Sequence, residues 1–300
     1  MQKRSLDRFD GLLPDDTVKV KSCGNIVELV WCEHLNRKAR IVKVDKDHYY
    51  LADDDKKTLY EFQHIHSRID DKNSIRASLA RLRDIINTNV SDVSCCRWCT
   101  FTYAANMTDT NKLYLDWKKC VRSLRRIYGD FEYIIAVEPQ GRGAWHIHAI
   151  LIFSHKAPYM ENSIVAQAWG QGFVNVKRLD DVDNVGAYLT AYLGDLELPD
   201  DSEPGQFDVV KTVDYIDDSG VPKIKRYIKG ARLKLYPPGM NIYRASRGIL
   251  KPDVSYMPNA WAEKKVSSAK LTYEKTVALV DDDSKLVNTI NYRYYNTNKK

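Results

Sequence analysis

Residues 131–153 read FEYIIAVEPQGRGAWHIHAILIF. Phe131–Val137 predicts a strand, Pro139–Ala144 a glycine-rich turn, and Trp145–Phe153 a returning strand. Side chains two apart on a strand share a face, so His146 and His148 project together. The tight turn folds Glu138, at the end of the first strand, back beside His146. A carboxylate and two imidazoles then lie on one sheet surface. Two neutral nitrogens and one oxygen, with water and a phosphate oxygen completing the sphere, suit Mn²⁺ or Mg²⁺. A His-x-His pair alone is weak evidence. His64-Ile65-His66 is a second copy, with no comparable hairpin and carboxylate before it. Polar residues on an exposed strand face explain either pair taken alone, and a surface carboxylate at a hairpin end explains Glu138 taken alone.

The neighbouring sequence supplies the rest of a sheet. Arg97–Tyr103, rich in aromatic and β-branched residues, predicts a strand. Asp109 or Thr110 caps a helix whose apolar stripe runs Leu113, Trp117, Cys120, Val121, Leu124, Ile127, and Gly129 ends it. A short helix over Asn162–Trp169 stops at Gly170, Phe173–Arg178 is a strand, and Asp183 caps a final helix through about Leu193. This β-α-β-β-α-β-α order is a ferredoxin-like split βαβ arrangement with one added helix. Before it, Ser74–Asn89 has Ile75, Leu79, Leu82, Ile85 and Ile86 at helical spacing. The expected fold is α+β, a ferredoxin/RRM-like antiparallel sheet of about five strands with helices on one face.

Extra β-rich regions flank it. Val18–Ser22 and Ile26–Trp31 surround a Gly-Asn turn, and Arg40–Val44 and His48–Leu51 surround a polar turn. Glu197–Gln206, holding Pro199, Pro204 and Gly205, is the best linker candidate. A hairpin of Leu271–Val280 and Leu286–Tyr292 lies beyond it.

With 44% hydrophobic and 29% charged residues, the 300-residue chain can bury a substantial core. No run of eighteen apolar residues occurs and the start, Met1 to Ser5, is polar, so a cytoplasmic protein without a membrane segment is expected. The net charge of +6 is modest but uneven. Val221–Lys251 holds nine Lys/Arg and no acid, whereas Leu179–Asp208 holds no Lys/Arg. The basic stretch, with Tyr227, Tyr236 and Tyr243, suits phosphate contacts beside stacking platforms, or is simply a solvated basic face. Cys95, Cys96 and Cys99 look like half a zinc site, but Cys23, Cys32 and Cys120 are scattered, which favours reduced thiols packed in a strand. The sequence has no Gly-x-x-x-x-Gly-Lys-Ser/Thr loop, so no ATPase is expected.

A second constellation is Gly186-Ala187-Tyr188-Leu189-Thr190-Ala191-Tyr192. Tyrosines at i and i+4 share a helix face, either as packing residues or as a pair of nucleophiles. A phenol near pKa 10 is a poor nucleophile at neutral pH and needs a metal to polarise the phosphate it attacks.

Thr100-Phe101-Thr102-Tyr103, then Glu138 with His146-Ile147-His148, then Tyr188 and Tyr192, together resemble the three motifs of the HUH endonuclease superfamily. The match is nearest to the rolling-circle replication initiators (Rep proteins) of bacterial plasmids, phages and mobile elements. It covers residues 76–195 well. Lys229-Gly-Ala-Arg-Leu and Tyr243-Arg-Ala-Ser-Arg-Gly are also similar to those proteins. The resemblance implies an HUH endonuclease fold, with Glu138, His146 and His148 as metal ligands and Tyr188 as nucleophile, since Val185 begins an aliphatic-x-x-Tyr pattern. Tyr192 is implied as a second nucleophile or a support residue. Many relatives carry lysine three residues after a tyrosine of this motif; here Ala191 and Asp195 stand there, leaving Lys177 as a possible source of the acid or base.

The function so implied is a site-specific single-strand endonuclease and strand transferase, starting rolling-circle replication through a 5′-phosphotyrosine intermediate. A relaxase, a single-strand transposase or a non-catalytic DNA-binding repressor is the alternative. Expected partners are single-stranded or hairpin origin DNA with host helicase and polymerase, and Arg142, Lys177, Arg178, Arg232, Lys234 and Arg244 are the expected DNA contacts. The expected organisation is 1–75 β-rich, 76–196 nicking domain and 197–300 basic, β-rich and DNA-binding.

Overall fold

The computed structural model describes residues 2–5, 11–34, 41–52, 54–62, 71–140, 143–179, 184–190, 195–198, 203, 209–216, 221–228, 230–237, 239–280 and 286–299. The chain divides into two compact units, residues 22–26 with 67–253, and residues 1–21, 27–66 and 254–300.

The first unit is built on an antiparallel sheet. Its elements are α1 (Lys72–Asn89), β1 (Cys96–Thr102), α2 (Thr110–Tyr128), β2 (Glu132–Pro139), β3 (Trp145–Ile152), α3 (Asn162–Trp169), β4 (Val174–Lys177), α4 (Val185–Thr190) and β5 (Tyr243–Ala245). The strands lie side by side as β4-β1-β3-β2-β5. From β1 to β4 the chain therefore runs β-α-β-β-α-β, the order expected from the sequence. Local signals set the ends. Asp109 accepts hydrogen bonds from the Asn111 and Lys112 amides to start α2, and Gly170, left-handed at φ 65°, stops α3.

Helices cover both faces of this sheet, where one covered face is expected from the sequence. On one side Phe101, Ile135, Val137, Ile147 and Leu151 pack against Leu113, Trp117 and Leu124 of α2 and Val165 and Trp169 of α3. On the other, Ile134, Ala136 and Ile150 pack against Leu82, Ile85 and Ile86 of α1 and Val185 of α4. Each fully buried side chain of this size contributes about 1.5–3 kcal/mol. The signal lies in β2 and β3, which are apolar at both odd and even positions, as strands buried on both faces are. Ile127, expected inside α2's stripe, is 51% exposed. Cys96 and Cys99 face opposite cores, so no zinc half-site forms. Burial pushes the Cys96 thiol up to about 12 and Cys99 higher still.

Within the same unit, Leu196–Leu198, Pro222–Ile228 and Val210–Ile216 form a small antiparallel sheet. The start of the expected linker is thus a strand, with Glu197 and Leu198 paired to Tyr227 and Arg226. An acidic segment that reads as solvated finds a place against the basic strand.

In the second unit, strands from the two ends of the chain share one sheet, ordered Gln2–Ser5, Lys270–Val280, Leu286–Asn296, Ile26–Cys32, Thr17–Cys23, Asp253–Pro258. Ala262 and Val266 of helix Asn259–Val266 pack on Val18, Val20, Val27 and Leu29. Periodicity marks the strands but does not say which ones pair. No described helix is long and apolar enough to cross a membrane.

Candidate metal centre

Strand register builds the site. Glu138 of β2 pairs directly with His146 of β3, and Thr102 and Thr100 of β1 pair with His146 and His148. Directly opposed residues share a face. Thr100, His148, His146 and Glu138 therefore project together from the side covered by α1 and α4.

The donor atoms converge. Glu138 Oε2 lies 3.1 Å from His146 Nε2 and 3.3 Å from His148 Nε2, and the two Nε2 atoms are 2.8 Å apart. Glu138 is 2% and His146 6% exposed, whereas the His148 side chain, at 21%, opens to solvent. Two imidazole nitrogens and one carboxylate oxygen aimed at one point suit a divalent cation, and the three residues form a metal-capable group.

Neighbouring groups set their charge and orientation. Burial raises the Glu138 pKa, but the hydrogen-bonded His146 and His148 and the Arg232 charge overcome it and hold the carboxyl well below its usual range. Burial pushes His146 below its ordinary value, which favours the neutral, metal-binding imidazole. His148 Nδ1 lies 3.2 Å from Thr100 Oγ1. If Nδ1 donates to that hydroxyl, Nε2 is left free as the ligand nitrogen. Trp98 stacks on His148 with ring centroids 5.3 Å apart. His146 Nδ1 is buried and has no hydrogen-bond partner among the described residues.

The expected DNA contacts fall in different places. Arg232, on the turn Ala231–Leu235, donates from Nη1 to Glu138 Oε2 at 2.5 Å, so it lies in the metal-capable cluster itself. Arg244 lies 3.4 Å over the Tyr114 ring of α2, on the opposite side of the sheet. Lys177 pairs with Trp98, which places it on the metal face, and it is exposed, as are Arg178 and Lys234. Tyr236 cannot serve as a stacking platform, because it is 3% exposed and donates its hydroxyl to the Val137 carbonyl at 2.6 Å. Asp195, where relatives of this kind carry lysine, is buried and accepts the Gly230 amide at 2.8 Å, just before the turn that carries Arg232.

Tyr188 lies on α4. This helix is seated by Val185 in the core beneath it and by a polar clamp to α1. Asn87 Oδ1 accepts the Gly186 amide at 2.7 Å, and Asn87 Nδ2 donates to Asn184 Oδ1 at 2.8 Å. A Cβ at Gly186 would stand 2.4 Å from the Arg83 carbonyl oxygen, so glycine is what lets the helices approach. Tyr192, Asp183, Arg142, His64 and His66 lie outside the described residues. Sequence reasoning missed the clamp and the Arg232 pairing. It could have found Thr100, which strand alternation places opposite His148.

A protein-family profile of the replication-associated protein ORF2 type matches residues 96–197, a span that contains the metal cluster and both tyrosines. No curated protein and no solved structure matches the chain. The profile match supports a replication-associated protein that works on DNA.

Proposed function

We propose that the chain is a site-specific DNA-nicking enzyme and strand transferase of the HUH type, which starts rolling-circle replication through a 5′-phosphotyrosine. One observation carries this reading: Glu138, His146 and His148 converge on the sheet face against which the Tyr188 helix is packed. The strand order β4-β1-β3-β2 supports a ferredoxin-like sheet. Bound there, Mn²⁺ or Mg²⁺ would polarise the scissile phosphate.

The chain's own residues do the rest. Tyr188 Oη forms a bond to phosphorus while the bond from phosphorus to the 3′ oxygen breaks, leaving a 5′-phosphotyrosine and a free 3′-hydroxyl. The phenolic proton passes to a base and the departing 3′ oxygen gains one; Lys177, on the metal face, is placed to exchange these protons. Arg232 keeps Glu138 ionised and oriented, and Thr100 orients His148. The phosphodiester energy is conserved in the covalent link, so rejoining needs no nucleotide. Tyr192 serves a second transfer. Single-stranded or hairpin origin DNA is the substrate, with unwinding and synthesis left to a host helicase and polymerase. Mixing the full chain with single-stranded oligonucleotides and Mn²⁺ tests this. Cleavage that EDTA abolishes supports it, and binding without cleavage under those conditions would leave only a DNA-binding module.

A further inference from the structure

Helix α2 carries six Lys/Arg and one acid, Asp116. That acid is buried and paired with Lys112 and the Tyr103 hydroxyl, so it does not offset the rest of the helix. Lys118, Arg122 and Arg125 fall at i, i+4 and i+7, on one helix face. They line a 640 Å³ cleft whose far wall is the end of β5 and Arg247. The one acid in the cleft, Glu132, accepts the Gly248 amide at 3.3 Å. Lys118, Arg122 and Arg247 are exposed and form no ion pair among the described residues.

We propose that this cleft is a second DNA surface, which grips the phosphate backbone of a duplex on the sheet side opposite the metal ligands. Lys118 to Arg125 spans about 10 Å of helix axis, at a rise near 1.5 Å per residue. One strand of a duplex presents about three phosphates over that length, one for each cation. Stacking surfaces, which would point to single strands, are poor here. The cleft's aromatic residue, Tyr133, meets Trp117 edge-on at 5.3 Å and is half-buried. The backbone is therefore what the cleft can hold, and base identity is not read in it. A grip behind the sheet would keep flanking duplex attached while a single strand occupies the metal face.

The inference takes from the proposed function only that the chain works on DNA. The test is the triple variant Lys118→Ala, Arg122→Ala, Arg247→Ala in the full chain, with Arg125 left in place because it braces the Phe131 carbonyl at 2.7 Å. Binding to a mixed-sequence duplex is measured against salt by fluorescence anisotropy. The log–log slope should fall by up to about 2.7, so that the wild type loses roughly 40-fold more affinity than the variant across a fourfold salt increase. Single-strand binding and Mn²⁺-dependent cleavage of a short single strand should stay at wild-type levels. An unchanged duplex slope, or no duplex binding by the wild type, overturns the proposal. An equal loss on single strands overturns the duplex assignment. Failure of the nicking chemistry would remove the cleavage control alone and leave the slope comparison intact.

Discussion

Substituting Gly186 by alanine asks whether the seating of α4 governs the chemistry. The new Cβ would lie 2.4 Å from the Arg83 carbonyl oxygen and 2.7 Å from Asn87 Oδ1, where ordinary contact begins at 3.4 Å. Arg83 contributes backbone from within α1, so α4 must give way, by about 1 Å (3.4 minus 2.4). That shift would stretch the 2.7 Å bond between the Gly186 amide and Asn87 to about 3.7 Å, beyond hydrogen-bonding distance. Losing it costs about 1 kcal/mol and overpacking about 1–3, against a gain near 1 from replacing glycine in a helix. The net is a destabilisation of about 1–3 kcal/mol, readable as a lowered Tm. A reacting group displaced by about 1 Å can lose on the order of 100-fold in rate, so single-turnover formation of the covalent adduct should slow by that order. Asn87→Ala removes the acceptor without the clash, and should cost about 1 kcal/mol with a smaller rate loss. Wild-type adduct rates in Gly186→Ala would refute the idea that the α1 clamp positions the tyrosine helix.

Three further outcomes are expected. Thr100→Val removes the hydroxyl beside His148 Nδ1 and should weaken Mn²⁺ binding by roughly 10–100-fold in calorimetry; unchanged affinity contradicts the orienting role. Burial holds His146 below its ordinary 6.5, so in the window under pH 6.5 the unfolded chain binds the extra proton. Metal-free stability should be fully present above pH 6.5 and fall as pH drops through the folded pKa. His146→Gln should flatten that limb, and a limb that persists would place its origin elsewhere. Lastly, a thiol reagent at pH 8 should reach the partly exposed Cys32 and Cys95 and spare the other four cysteines of the native chain; rapid reaction of all six would contradict the packed-thiol reading.

The hairpin of β2 and β3 was legible in the sequence because two rules act within a few residues of each other. Strand alternation puts His146 and His148 on one face, and a short turn returns Glu138 to the same place. The ends of α2 and α3 were legible too, since Asp109, Gly129 and Gly170 act through their own backbone neighbours. What was not legible depends on distant pairings. Arg232 reaches Glu138 across 94 positions, and nothing local distinguishes it from the other arginines of a basic stretch that suits phosphate. Asn87 reads as an unremarkable helix residue until α4 packs against it. The second covered face of the sheet was written in the apolar residues at both parities of β2 and β3, though the helix that would cover it could not be matched to a side.

The central claim is that a tyrosine of α4 becomes covalently joined to DNA. The direct measurement is to incubate the full chain with single-stranded DNA and Mn²⁺, separate it under denaturing conditions, and map the nucleotide-bearing tryptic peptide by mass spectrometry. The account predicts a phosphodeoxynucleotide on Tyr188, and its complete loss in Tyr188→Phe with DNA binding retained. An adduct that persists in the double variant Tyr188→Phe, Tyr192→Phe would contradict the tyrosine mechanism itself.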